Sequence, residues 1–248
     1  MSLEALKFSV YRWAMGRNAA ELLGREGRGR VETRAGELLY YLYRKGAWSR
    51  VRGALLRWRL REAGRRLFVG ARAEILFPDH LSVGDNVAIG KDCYLNCLSL
   101  EGVRLGHNVR LKQNVWLQVT SHLTEKGKGI TIGDNSYIGP YCVLGGGGGI
   151  TLGRNVTLGA SVDLLAENHR FDATDVPINQ QGVSRQGIVV EDDCWIGNKA
   201  VILDGVTIGC GSVIGAATVV TRDVPAGSVA AGNPARLVRS RLRQEQGA

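Results

Sequence analysis

Aliphatic residues recur at every sixth position along most of this chain, usually with a glycine or another small or polar residue close behind. The series runs Val83, Ile89, Leu95, then Leu105, Leu111, Leu117, then Ile132, Ile138, Leu144, then Leu152, Leu158, Leu164. It ends in an unbroken run: Val190, Ile196, Ile202, Ile208, Ile214 and Val220. A second apolar or small residue sits two places earlier, as at Val87, Val109, Val156, Cys194 and Val206. Such a period predicts a solenoid of very short strands, a parallel β-helix, rather than a globular core. Three hexapeptides make one triangular coil of about 18 residues, with one aliphatic side chain pointing inward from each face. Stacked coils pair as parallel strands ~4.8 Å apart, so the inward residues form an apolar column. The Gly, Asn and Asp residues that follow suit the bends between faces, where positive φ is needed.

The beat breaks after Leu95, Leu117, Leu144 and Leu164, each the third hexapeptide of its coil. All four insertions are therefore expected to leave the prism at one corner and to stack along one edge. Loops held by a rigid scaffold often carry chemistry, so this edge is the expected functional one. The longest insertion, residues 165–187, is polar, contains His169 and shows neither strand nor helix period. A loop of that length in a compact domain is usually functional or disordered. The loop around His122, QVTSHLTEKGKG, leaves the same edge two coils earlier. The glycine run from Gly145 to Gly149 lacks the GxGxxG order, the following helix and the lysine of a phosphate loop. It reads as a tight corner where another backbone comes close.

Charge divides the chain. Residues 1–72 hold 17 lysines and arginines against six acids, whereas the remainder holds 15 against 17. The expected organisation is a basic, mainly helical segment over 1–66, a β-helix over 67–225 and a tail over 226–248. Leu38, Leu39, Leu42, Val51, Leu55, Leu56 and Leu60 can make one apolar face in the N-terminal segment, ringed by arginines. Two readings stay open: the helices cap the solenoid end, or they lie on a membrane as a peripheral contact. No apolar run approaches the ~20 residues of a membrane span, and the start lacks the apolar core of a secretion signal. Five cysteines, several at inward or small repeat positions, fit a reduced, cytoplasmic protein. Cys93 and Cys97 lack a CxxC partner pair, so no metal is expected. The sequence pI of about 9.6 arises on helices without a nucleic-acid reading motif, and no nucleic-acid partner is expected.

Around His169 the chain reads NHRF, and from Ile188 to Arg239 it reads IVVEDDCWIGNKAVILDGVTIGCGSVIGAATVVTRDVPAGSVAAGNPARLVR. This text resembles the hexapeptide-repeat acyltransferases with a left-handed β-helix. It looks most like the branch with galactoside, maltose and polysaccharide O-acetyltransferases. The resemblance implies acetyl transfer from acetyl-CoA to a saccharide hydroxyl, in a homotrimer with sites between neighbouring prisms. It implies His169 as general base, since a neutral imidazole can take the hydroxyl proton. Glu167 or Asp172 could orient that ring. The resemblance further implies contacts with CoA from Trp195, Asn198, Ala216, Thr221, Arg222, Arg236 and Arg239; guanidinium forks suit phosphate. The asparagine that helps hold the acceptor in the sugar acetyltransferases is absent; its place is Gly145. Asn96, Gln118, His122 and Glu167 are then the residues that could meet the acceptor, which could be lipid- or nucleotide-linked at the inner membrane face.

Other activities on the same prism remain as alternatives: N-acyl transfer to an amino sugar, or a scaffold subunit without turnover. A γ-type carbonic anhydrase needs three histidines on zinc, two close in sequence. The four here, His80, His107, His122 and His169, are too widely spaced.

Overall fold

The computed structural model describes residues 48–120 and 123–241. Three parallel sheets form the walls of a prism, one per face. The first runs from Glu62–Ala63 through Leu81–Val83, Val103–Leu105, Ile130–Ile132, Ile150–Leu152 and Ile188–Val190 to Thr207–Ile208. The second starts at Phe68–Val69 and ends at Ser228–Ala231 and Arg236–Ser240. The third runs from Glu74–Leu76 to Val219–Val220. Each strand pairs with its counterpart one coil later, which is the β-helix the period predicts.

Register shows why the period produces this shape. Val83 pairs with Leu105, Leu105 with Ile132, Ile132 with Leu152 and Leu152 with Val190. The second face stacks Ile89, Leu111, Ile138, Leu158, Ile196 and Ile214 in the same way. The third stacks Leu95, Leu117, Leu144, Leu164, Ile202 and Val220. All of these side chains are at most 4% exposed. The second inward set, Val87, Val109, Val156, Cys194 and Val206, is buried as well. A parallel strand of two or three residues cannot hold itself together. The apolar columns, each aliphatic side chain contributing about 1.5–3 kcal/mol of burial, hold the coils in line.

The corner between the first and second faces is self-satisfying. Asn86, Asn108, Asn135, Asn155 and Asp193 hold it at φ of 57–60°. Their side chains form a ladder: Asn86 donates to Asn108 (3.2 Å), Asn108 to Asn135 (3.0 Å) and Asn155 to Asp193 (2.8 Å). Asparagine tolerates the left-handed region better than other side-chain-bearing residues.

Helix α1, Trp48–Arg57, packs on the strand Phe68–Val69. Arg52 Nε donates to the Val69 carbonyl at 2.9 Å. A Cβ on Gly53 would fall on the Leu67 carbonyl, so only glycine permits this approach. The helices expected in residues 1–47 lie outside the described residues. The single apolar face expected in this segment is corrected by the structure. Ser49 and Gly53 are buried and Leu56 and Leu60 pack on the core, but Val51 and Leu55 point away and are exposed. Residues 51 and 55 fall on the far side of the helix from 49, 53 and 56, and small residues rather than leucines make the close contact.

Coil pairing extends outside residues 67–225 in both directions. Glu62–Ala63 already pairs with Ser82 and Val83. After Val220, the strand Ser228–Ala231 joins the second face, and Arg236–Ser240 folds back antiparallel upon it.

Candidate functional site

The insertions share one corner. Residues 97–102, 119–129, 146–149 and 166–187 each link a strand of the third face to the next strand of the first. The glycine run is packed from several sides. A Cβ on Gly148 would meet the Ala166 carbonyl at 2.6 Å and the Gly187 nitrogen at 2.8 Å, and one on Gly147 would meet Glu167. The small residues let the long insertion begin and end against this corner.

The long insertion is an arm with a clamped base. Asn168–His169 pairs antiparallel with Val183–Ser184, and the Arg170 N–H donates to the Gly182 carbonyl at 3.0 Å. One step nearer the prism, Arg185 Nε donates to Glu167 Oε2 at 2.6 Å, joining the two legs. The Arg185 guanidinium also lies 3.9 Å from Glu125 of the 119–129 insertion, two coils earlier. At the tip, Gln181 binds Ala173 through both amide ends and donates to the Val176 carbonyl. The two-residue ladder thus exists where neither strand nor helix period is visible, because these side chains supply what the short strands lack. His169 is exposed on this arm. Glu167 is turned to Arg185, and Asp172 is exposed further out.

The residues that the resemblance links to CoA occupy several parts of the prism. Trp195 stands on the second face, 56% exposed, in register with Thr157 and Val213. Asn198 and Ala216 lie on the corner between the second and third faces. The Asn198 side chain accepts from the Ala160 N–H at 2.8 Å and its carbonyl accepts from Ala217. Ala216 backs onto Gly197, where a Cβ would lie 2.6 Å from the Ala216 nitrogen. Thr221 and Arg222 follow the third face, on the corner that also carries the His169 arm, and are exposed. Arg236 and Arg239 are exposed on the terminal strand opposite Ala231 and Val229. Asn198 and Ala216 are therefore neighbours, whereas His169 belongs to a different corner, with the third face between them.

That third face carries the acceptor candidates. Asn96, Gln118, Gly145 and Leu165 stack in one outward column. The Asn96 side chain accepts from the Leu98 N–H, and the Gln118 amide donates to the Thr120 carbonyl, both at 3.3 Å. Beside them Tyr94 and Trp116 stack, ring centroids 6.1 Å apart and 15° from parallel. His122 lies outside the described residues. Sequence reading missed Tyr94, Trp116, Arg185 and Gln181: partners 22 and 18 positions apart become neighbours only once register and arm pairing are known.

Several other titratable groups have structural surroundings. The His107 ring nitrogen accepts from the Asp85 N–H at 3.0 Å, at the asparagine corner. Four cysteines are buried, and all are free. Burial pushes the Cys97 thiol up to about 12 and the Cys142 thiol up to about 11, so neither is a nucleophile at neutral pH. Asp192 is held below the usual carboxylate range by the Arg154 N–H and guanidinium. Burial raises Asp163 above it. Among the described residues no group of three or more His, Cys, Asp or Glu could hold a metal ion, and no helix is long and apolar enough to cross a membrane.

A family model described as the hexapeptide repeat of succinyl-transferase matches residues 80–118, 129–166 and 187–222. Galactoside O-acetyltransferase of Escherichia coli is 36% identical over 129 residues, covering 44% of this chain and 63% of that protein. A candidate acetyltransferase of Schizosaccharomyces pombe is 43% identical over 91 residues, covering 36% of this chain and 42% of its own length. The chain thus spans about half the length of these curated relatives. Among solved structures, AntD, an N-acyltransferase from Bacillus cereus in complex with dTDP and 3-hydroxybutyryl-CoA, superposes with a TM-score of 0.55. It is 22% identical and covers 77% of this chain and 89% of its own, a likeness of fold. The repeat, its three-sided winding and the homologous stretches make this chain a left-handed β-helix built on hexapeptide repeats, similar over those stretches to the hexapeptide-repeat acyltransferases.

Proposed function

We propose that this protein is an O-acetyltransferase that moves an acetyl group from acetyl-CoA to a saccharide hydroxyl, with His169 as general base. The observation that carries the proposal is the clamped arm. It presents an exposed imidazole from a base fixed by Glu167 and Arg185, on the edge where all insertions gather. His169 takes the proton of the acceptor hydroxyl as that oxygen attacks the thioester carbonyl. The C–S bond breaks, and the imidazolium returns the proton to the departing thiolate. Proton transfer of this kind typically contributes about 10²–10⁴-fold.

The split of the candidate residues between corners supports a homotrimer. One prism supplies the arm, and a neighbour's Asn198–Ala216 corner supplies the other wall of a CoA groove. The exposed Ala216, with only a methyl side chain, leaves space for an extended chain, and Arg222, Arg236 and Arg239 suit phosphates. The saccharide assignment rests on the third face. Stacked Tyr94 and Trp116 offer an apolar ring surface beside the amides of Asn96 and Gln118, which suits a pyranose with its apolar face and hydroxyl rim. Such an acceptor places the enzyme in surface polysaccharide or glycolipid assembly, on the cytoplasmic side.

The test is an acceptor panel of sugars, nucleotide-sugars and lipid-linked saccharides with acetyl-CoA, reading thiol release and product mass. A base-labile acetyl ester formed by the wild type and lost in His169→Ala supports the proposal. An acetamide product assigns N-acyl transfer instead, and turnover equal in His169→Ala removes the histidine from the chemistry.

A further inference from the structure

Helix α1 carries two stripes. The inner one, Ser49, Gly53 and Leu56, sits on the coil end. The outer one is unpaired among the described residues: Trp48 is 58% exposed, Val51 48% and Leu55 69%, and Trp58, on the turn that follows, is 92% exposed. Their spacing of three, four and three residues brings them to one side of the helix. Single exposed hydrophobic residues need no explanation, but four in helical register with two tryptophans form a docking surface. Residues 48–72 also contain eight arginines and one acid, Glu62. Arg57, Arg59, Arg61, Arg65 and Arg66, at the helix end and in the residues that follow it, are exposed.

We infer that this stripe docks on an anionic lipid bilayer. Indole rings suit the boundary between acyl chains and headgroups, and arginine stems run along apolar surface while their heads meet lipid phosphates. Charge selects this occupant over two others. A second copy would bring the same arginines against these. Residues 1–47 hold nine lysines and arginines against five acids, again the same sign. An anionic headgroup layer supplies the opposite charge. The inference stands apart from acetyl transfer, and its test needs neither CoA nor acceptor.

The test is flotation of the full chain with vesicles of phosphatidylcholine containing about one-third phosphatidylglycerol, and with phosphatidylcholine alone. The full chain is expected to float with the anionic vesicles at low salt and to be released at high salt. Leu55→Glu with Trp58→Glu is expected to lower the bound fraction about tenfold or more, and Arg59→Glu with Arg65→Glu by about tenfold. Unchanged thermal melting of both variants shows that the coil is intact. The inference is overturned if the full chain stays unbound, if it floats equally on neutral vesicles, or if the stripe variant floats like wild type. Self-association that Leu55→Glu abolishes, with no flotation, assigns the stripe to a second copy and overturns it too.

Discussion

Two corners of one prism have been put to opposite uses. At the asparagine corner each turn is the same length, each bend repeats one left-handed residue, and amides bind amides from coil to coil. At the insertion corner the turns differ in length and hold polar residues that the coil does not need. The first corner satisfies its polar groups from within the repeat, which leaves nothing for a ligand. The second leaves the repeat, and its groups find partners in other insertions or present themselves to solvent. The difference teaches that a regular turn consumes its own polar groups, whereas a turn that leaves the repeat keeps polar groups, His169 among them, at the surface.

That division can be broken by mutation. The largest effect is expected from His169→Ala, which should lower kcat by about 10²–10⁴-fold while leaving thermal melting unchanged. A matched loss of melting temperature would mean that the arm is part of the scaffold. Next is Ile138→Ala, fully buried between Leu111 and Leu158, expected to cost about 2–5 kcal/mol in denaturant unfolding. The KM values of the surviving folded enzyme should not move. Arg185→Ala sharpens the comparison because it unclamps the arm without touching the core. We expect kcat to fall about tenfold with only a small change in unfolding, since most of the clamp's free energy would appear as positioning. Arg185→Lys should recover part of this, because it restores charge but not the guanidinium fork. Asn108→Ala, at φ 60° in the ladder, is expected to cost about 1–3 kcal/mol of stability and no activity.

The smallest effect concerns pH. Burial raises the Asp163 carboxyl above its unfolded value, so the folded state favours the protonated form. The associated stability is present below the carboxylate range and is lost as pH rises through the folded pKa. Asp163→Asn should therefore be the more stable protein above that range and should flatten the melting profile. Asp192, lowered by Arg154, has the opposite sign: its stability is present above the carboxylate range and lost as pH falls through the folded pKa. A melting profile for Asp163→Asn that parallels wild type would assign the raised value no role in stability.

The inward columns and the shared insertion corner were legible in the sequence because both follow from counting in sixes. Leu111, Ile138 and Leu158 stack as their positions require. Other features depend on distances that the period leaves free. Tyr94 meets Trp116 because the coil between them has 22 residues rather than 18. Arg185 finds Glu167 because the arm between them folds back on itself. In helix α1 the leucines suggested one buried face, yet the backbone comes close at Gly53, and the inner contact runs through Ser49, Gly53 and Leu56. Val51 and Leu55 are left on the outside.

A rod made by repetition has no inherent reason to stop. Every parallel strand at its end is a template for another, including one from a second molecule. On the second face both templates are covered: α1 lies over Phe68–Val69, and Arg236–Ser240 reverses direction across Ser228–Ala231. These two pieces, which share nothing with the six-residue unit, give the spool a fixed length on that face and keep it from growing into a fibre.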